Sequence, residues 1–115
     1  MKAIADFELA IQMTPQHRQA WYGLVLTRVY LAEALQVRGE PPNEEVSRAL
    51  RDCEKALKLA PDNWQVLSTR GFLLDAAGDP EGALRDYAEA VRILGNTPGW
   101  LKGMIDQSEK KLNPR

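Results

Sequence analysis

The chain has 115 residues, 44% of them apolar, and fifteen Lys and Arg against sixteen Asp and Glu give it a net charge of -1. That length suffices for one domain with a buried core, and the charge balance leaves no basic surplus for a polyanionic backbone, which argues against nucleic acid. No apolar run nears a membrane span, Asp6 stands where a signal peptide needs an apolar stretch, and the single Cys53 cannot form an internal disulfide; the expectation is no membrane insertion and a reducing, cytoplasmic setting.

Residues 3 to 15, "AIADFELAIQMTP", place Ile4, Phe7 and Ile11 at helical spacing and end in Pro15, which predicts an amphipathic helix near 2 to 13. A second helix is expected near 17 to 37, with Trp21 in its core stripe and a further apolar line through Tyr22, Leu26, Val29 and Tyr30. The stretch "LAEALQVRGEPPNEEV" keeps apolar residues at Leu31, Ala32, Leu35 and Val46, while Gly39, Pro41, Pro42 and Asn43 supply a turn and cap. It reads as a lengthened helical hairpin, a disordered loop being the alternative.

The next helix, near 44 to 59, contains "ALRDCEKALKLAP" from Ala49, a near-copy of the first segment 46 residues on. Asp62 as cap with Gln65 as its reciprocal partner opens a helix near 63 to 77. Gly78 makes a tight turn, and Asp79 with Pro80 starts a helix near 80 to 94 carrying the third copy, "ALRDYAEAVRILG", 34 residues after the second. Thr97 as cap and Pro98 in the first turn predict a closing helix near 98 to 112. The alanine pairs Ala3 and Ala10, Ala49 and Ala56, Ala83 and Ala90 lie seven apart on one face, where small side chains let a neighbouring helix approach closely.

The 34-residue period and the residues Leu67, Gly71, Leu74, Gly78, Ala83, Tyr87 and Ala90 resemble the tetratricopeptide repeat (TPR) family. The preceding unit fits as well, through Trp21, Leu24, Ala49, Cys53, Ala56 and Pro61. The resemblance implies an all-α fold: antiparallel helix hairpins stacked as a short right-handed superhelix of about six helices, the last a cap. It divides a single domain, 1 to 115, into a half repeat at 1–15, a repeat with a lengthened hairpin at 17–61, a regular repeat at 62–95 and a capping helix at 97–112. Arg28 and Arg70 replace apolar residues of the pattern, and Gly95 replaces its closing proline. Each arginine then needs a carboxylate partner, Asp86 or Asp52 for Arg70. The extra twelve residues, 46 less 34, fall between Trp21 and Ala49; shared evenly, they would lengthen each helix by about 9 Å.

Candidates for chemistry are few. His17 has no second metal-type ligand at suitable spacing, Cys53 lies in an apolar stripe where a thiol behaves as a small hydrophobe, and Glu44 and Glu45 suit a first helical turn. No catalytic residue, metal or cofactor is expected, and the chain reads as no enzyme. The resemblance implies instead a concave groove lined by the first helix of each unit, binding a protein or peptide. The residues expected there are Gln19, Tyr22, Leu26, Tyr30, Gln65, Thr69 and Phe72, with Lys102 as a positive charge at the far end. The alternative is that Tyr22, Leu26 and Tyr30 simply pack against a neighbouring helix. The Lys and Asn with which one TPR subclass grips terminal carboxylates are missing from these positions, which favours an apolar or aromatic segment. A further reading is structural: Ile4, Phe7 and Ile11 lack one covering helix, so the half repeat would pair between subunits or continue a longer protein.

Overall fold

The computed structural model describes residues 2–113. Among them lie six α-helices and no strand: α1 (Lys2–Met13), α2 (Arg18–Val37), α3 (Asn43–Leu59), α4 (Trp64–Ala76), α5 (Pro80–Leu94) and α6 (Gly99–Leu112). Short turns join them, so each helix packs antiparallel to the next. The particle measures 47 × 38 × 21 Å, and its thin dimension is that of two helix layers at about 10 Å each.

The layers differ in spacing. Helix α4 adjoins both α2 and α6, whereas no Cα of α1 comes within 8 Å of α3, nor any of α3 within 8 Å of α5. An array whose front helices touch while its back helices splay must curve toward the front. The face formed by α2, α4 and α6 is therefore the concave one.

The core follows the small-residue stripes. Ala49, Cys53, Ala83 and Ala90 are fully buried, and Ala56 nearly so. One apolar cluster joins Trp21, Leu24, Val25 and Val29 to α3 and to Val66 and Leu73; a second joins Leu67, Tyr87 and Leu101 across α4, α5 and α6. Between the layers, Gly71 lies so near the Tyr87 ring that a Cβ there would stand 2.4 Å from Cε1. Gly23 meets Phe7 of α1 in the same way at 2.5 Å.

The two arginines in apolar places are both paired. Arg70 grips Asp86 through two bonds of 2.7 Å, and Arg28 holds Asp52 at 2.7 Å and Glu45 at 3.4 Å. Asp52 thus serves Arg28, and Asp86 serves Arg70. These pairs are equivalent, and they show where the twelve inserted residues went. Arg28 and Asp52 are 24 residues apart, Arg70 and Asp86 only 16, so eight of the twelve lie in the hairpin. The other four form an additional turn at the start of α2, which has ten residues before Arg28 where α4 has six before Arg70. At the tip, α2 and α3 each gain three residues relative to α4 and α5, about 4.5 Å of rise, and the connection gains two. The inserted stretch is helical to Val37 and again from Asn43, not a loop. Its growth is half the even share expected for each helix at the tip.

Two helix starts differ from the sequence expectation. Asn63, not Asp62, caps α4, its side chain accepting from the Val66 amide at 3.4 Å; Asp62 is turned outward to Arg18 at 2.6 Å, which holds its carboxyl below the usual range. Pro98, not Thr97, precedes α6. At α5 the expected cap is present, Asp79 accepting from the Gly82 amide at 2.9 Å with Pro80 as first residue. Gly95 ends α5 in the left-handed conformation, φ 77°, a termination that needs no proline.

Candidate functional site

The front helices each turn one stripe toward the concave face. On α2 the stripe is Tyr22, Leu26, Val29, Tyr30 and Glu33; on α4 it is Trp64, Gln65, Ser68, Thr69 and Phe72; on α6 it is Trp100 and Met104. Steps of three and four along a helix keep such residues on one side. Together they line an open cavity of about 470 Å³, within the range that holds ligands or peptide side chains. Trp64 and Trp100, both in the lining, bridge α4 and α6, ring centroids 6.0 Å apart and tilted by 34°.

The Ser68 and Thr69 hydroxyls in this wall are tied to their own helix. Thr69 donates to the Gln65 carbonyl at 2.8 Å and Ser68 to the Trp64 carbonyl at 2.5 Å, one turn back on their own helix. Apart from the Tyr22 and Tyr30 hydroxyls, Gln65 and Glu33, the wall is mostly carbon. Tyr30 is 60% exposed, Phe72 40% and Trp100 50%, an unusual concentration of large apolar side chains on one face.

A second cleft of about 440 Å³ adjoins the first and shares Val29, Glu33 and Phe72 with it. Its walls are the lengthened hairpin, through Gln36, Pro42, Asn43 and Val46, and the end of α4, through Ala76 and Ala77.

Six of the eight residues expected in the groove, Tyr22, Leu26, Tyr30, Gln65, Thr69 and Phe72, line the single cavity. Gln19 does not; it is exposed beside a separate hollow between α1 and α2. Lys102 lies outside the cavity wall and pairs with Asp106 on its own helix at 3.4 Å. The positive charge expected at the far end is thus not in the wall, whose charged member is the acidic Glu33. Trp64, Trp100, Met104 and Glu33 were missed by sequence reasoning. Glu33 continues the stripe of Val29 and Tyr30 and was legible in the spacing; the tryptophans meet only once α4 and α6 are placed side by side.

Comparison with known proteins adds one relative. The small glutamine-rich tetratricopeptide repeat-containing protein 2 of Saccharomyces cerevisiae is 30% identical over 114 residues, 96% of this chain and 32% of that protein. The chain thus spans about a third of the length of the curated relative it matches. No family model matches. The fold is a TPR-like helical repeat. Its front face is the one whose stripes form the cavity.

The reactive groups are placed for packing. Burial pushes the Cys53 thiol up to about 12, the nearby Arg70 only partly opposing it, so the sulfur stays protonated and poorly nucleophilic. His17 caps α2, Nδ1 accepting from the Ala20 amide at 3.2 Å. Trp21 is buried with its indole N–H donating to the Pro15 carbonyl at 2.8 Å. Among the described residues no three His, Cys, Asp or Glu side chains gather as a metal site, and no helix is long and apolar enough to cross a membrane.

Proposed function

We propose that the chain is a member of the TPR family and serves as a non-catalytic scaffold, holding a protein or peptide partner against the aromatic face of α2, α4 and α6. In this reading residues 1–15 are a half repeat, 17–61 and 62–95 repeats, and 97–112 a cap. The observation that carries it is the cavity of about 470 Å³ walled by Tyr22, Tyr30, Trp64, Phe72 and Trp100. Exposed aromatic rings held rigidly on helices are what an interface core uses. The relative's printed name, a repeat-containing protein, agrees with the family reading. A cytoplasmic setting goes with it, supported by a single, unpaired thiol at Cys53.

The test uses the purified chain as bait and a doubly substituted version, Tyr30→Ala with Phe72→Ala. Neither residue belongs to the buried core, Tyr30 being 60% and Phe72 40% exposed, so the variant keeps its helical circular dichroism. The reading expects the partner to be lost with the two rings. Equal recovery by both forms sinks it.

Self-association is the second reading, favoured by α1. That helix packs on α2 alone and has no fully buried residue, with Leu9 56% and Met13 77% exposed. Light scattering at high concentration tests it; a strict monomer removes it.

A further inference from the structure

We propose that the segment bound in this groove carries a lysine or arginine, whose cation docks on Glu33 in the cleft between the α2–α3 hairpin and the end of α4. The inference rests on the groove reading above and adds the chemistry of the occupant. Glu33 belongs to the walls of both the aromatic cavity and the adjoining cleft and is the one charged residue of either lining. It is exposed. It makes no ion pair or side-chain hydrogen bond among the described residues, and what sets it apart from the other unpaired glutamates, Glu8, Glu54, Glu81 and Glu109, is that it alone lines these two hollows. Nor can its own helix supply a cation, because Val29, Tyr30, Gln36 and Val37 fill the positions three and four residues away.

The regular repeat shows what such an acid pairs with when the partner is built in. Asp75 lies five residues after Arg70, as Glu33 lies five after Arg28, and those arginines are equivalent through their bonds to Asp86 and Asp52. Lys111 of α6 reaches Asp75 at 2.8 Å. The position equivalent to Lys111 lies 34 residues earlier, just past the end of α4, as Leu67 lies 34 before the similarly buried Leu101. Ala77 stands there. With a methyl group in place of the lysine, the space beside Glu33 is an open cleft lined by Phe72, Ala76 and Ala77.

A lysine or arginine from a bound segment would fill that space as Lys111 fills its own. Its methylene stem would lie along Phe72 and the alanines, and the cation would sit between the Glu33 carboxylate and the Tyr30 and Phe72 rings. Apolar residues on either side would enter the aromatic cavity. An acidic tail would meet Glu33 as a like charge.

The test is selection of a random nine-residue peptide library displayed on phage against the purified chain and its Glu33→Gln variant. The expected winners against the native chain combine apolar residues with a Lys or Arg at one fixed position. Synthetic copies in which norleucine replaces that residue should bind about 3- to 10-fold more weakly, the range of a partly exposed ion pair with a cation over an aromatic face. The two peptides should bind Glu33→Gln equally, and Glu33→Lys should prefer a Glu at the same position. Winners without basic enrichment, or a norleucine effect that persists in Glu33→Gln, overturn the inference. Apolar winners that lose binding on Phe72→Ala overturn it while leaving the groove reading intact. Winners indifferent to Tyr30→Ala and Phe72→Ala, or no winners, overturn both.

Discussion

Gly71 and Gly23 offer a matched pair of substitutions whose outcomes should differ. A Cβ on Gly71 would stand 2.4 Å from Cε1 and 2.8 Å from Cδ1 of Tyr87, and one on Gly23 2.5 Å from Cε1 and Cζ of Phe7. All of these are far inside van der Waals contact, so the ring must move. Tyr87 is only 1% exposed, enclosed by α4, α5 and Leu101 of α6. It has nowhere to go without disturbing the second core cluster. Phe7 is half-buried on α1, which packs on α2 alone and can tilt away as a body.

Overpacking of a tight core costs about 1–3 kcal/mol, and Gly→Ala inside a helix returns about 1 kcal/mol of backbone preference. For Gly71→Ala the upper part of that cost applies, leaving a net loss of about 1–2 kcal/mol and a fall in Tm of roughly 5–10 °C. For Gly23→Ala relaxation of α1 brings the balance to within about 0.5 kcal/mol of zero. Urea unfolding followed at 222 nm, with the slope checked for constancy, measures both. Equal effects, or a Gly71→Ala chain as stable as the native one, would show that ring confinement does not govern these sites.

Removing the Asp86 carboxylate, which is 8% exposed, leaves the Arg70 guanidinium without its two bonds; Asp86→Ala should cost about 2–4 kcal/mol in the same unfolding assay. Stability should also fall in alkali. The folded Cys53 holds its proton to about 12 against an unfolded value of 9.0, so the folded state binds more protons above pH 9 and loses about 1.4 kcal/mol between pH 8 and 10. In Cys53→Ala that part of the slope should vanish, leaving what Tyr87, raised by burial first and then by the Asp75 carboxylate, contributes above its ordinary 10.0. Amide exchange should be slow at Leu31–Ala34 and Val46–Leu50, with fast exchange confined to about Arg38 through Glu45, where Pro41 and Pro42 carry no amide and the first amide of α3 to find an acceptor is that of Val46, on the Pro42 carbonyl; free-peptide rates throughout 31–47 would contradict a helical hairpin.

The fold was legible because its signals are periodic and redundant. Apolar spacing, paired alanines, Gly78 and Pro80 all mark the same helices, and each helix starts within a residue or two of its expected position. Caps were less legible, since the choice between Asp62 and Asn63 depends on a competitor: Arg18, 44 residues away in sequence, draws Asp62 outward. The arginine partners were half-specified by the recurring acid before Cys53 and Tyr87. Most of the cavity wall followed from the front-helix stripes. What spacing along one helix cannot show is which residues of different helices meet, and so Trp64 with Trp100 was missed and Lys102 was placed in a groove it does not line.

The inserted residues acquire a purpose from the same geometry. If α2 ended and α3 began where the regular hairpin does, each would be three residues shorter at the tip, and Gln36, Pro42 and Asn43 would not exist as helical or turn walls. Those are residues that close the cleft on the hairpin side, opposite Ala76 and Ala77. Without them Glu33 would stand at an open edge, where water screens a charge and an ion pair is worth little. With them it stands at the mouth of a walled space whose other sides are alanine, valine and an aromatic ring. The lengthened hairpin therefore converts the end of an aromatic groove into a site with electrostatic preference, and it does so with three more helical residues on each helix rather than a flexible loop, so the wall is in place before any partner arrives.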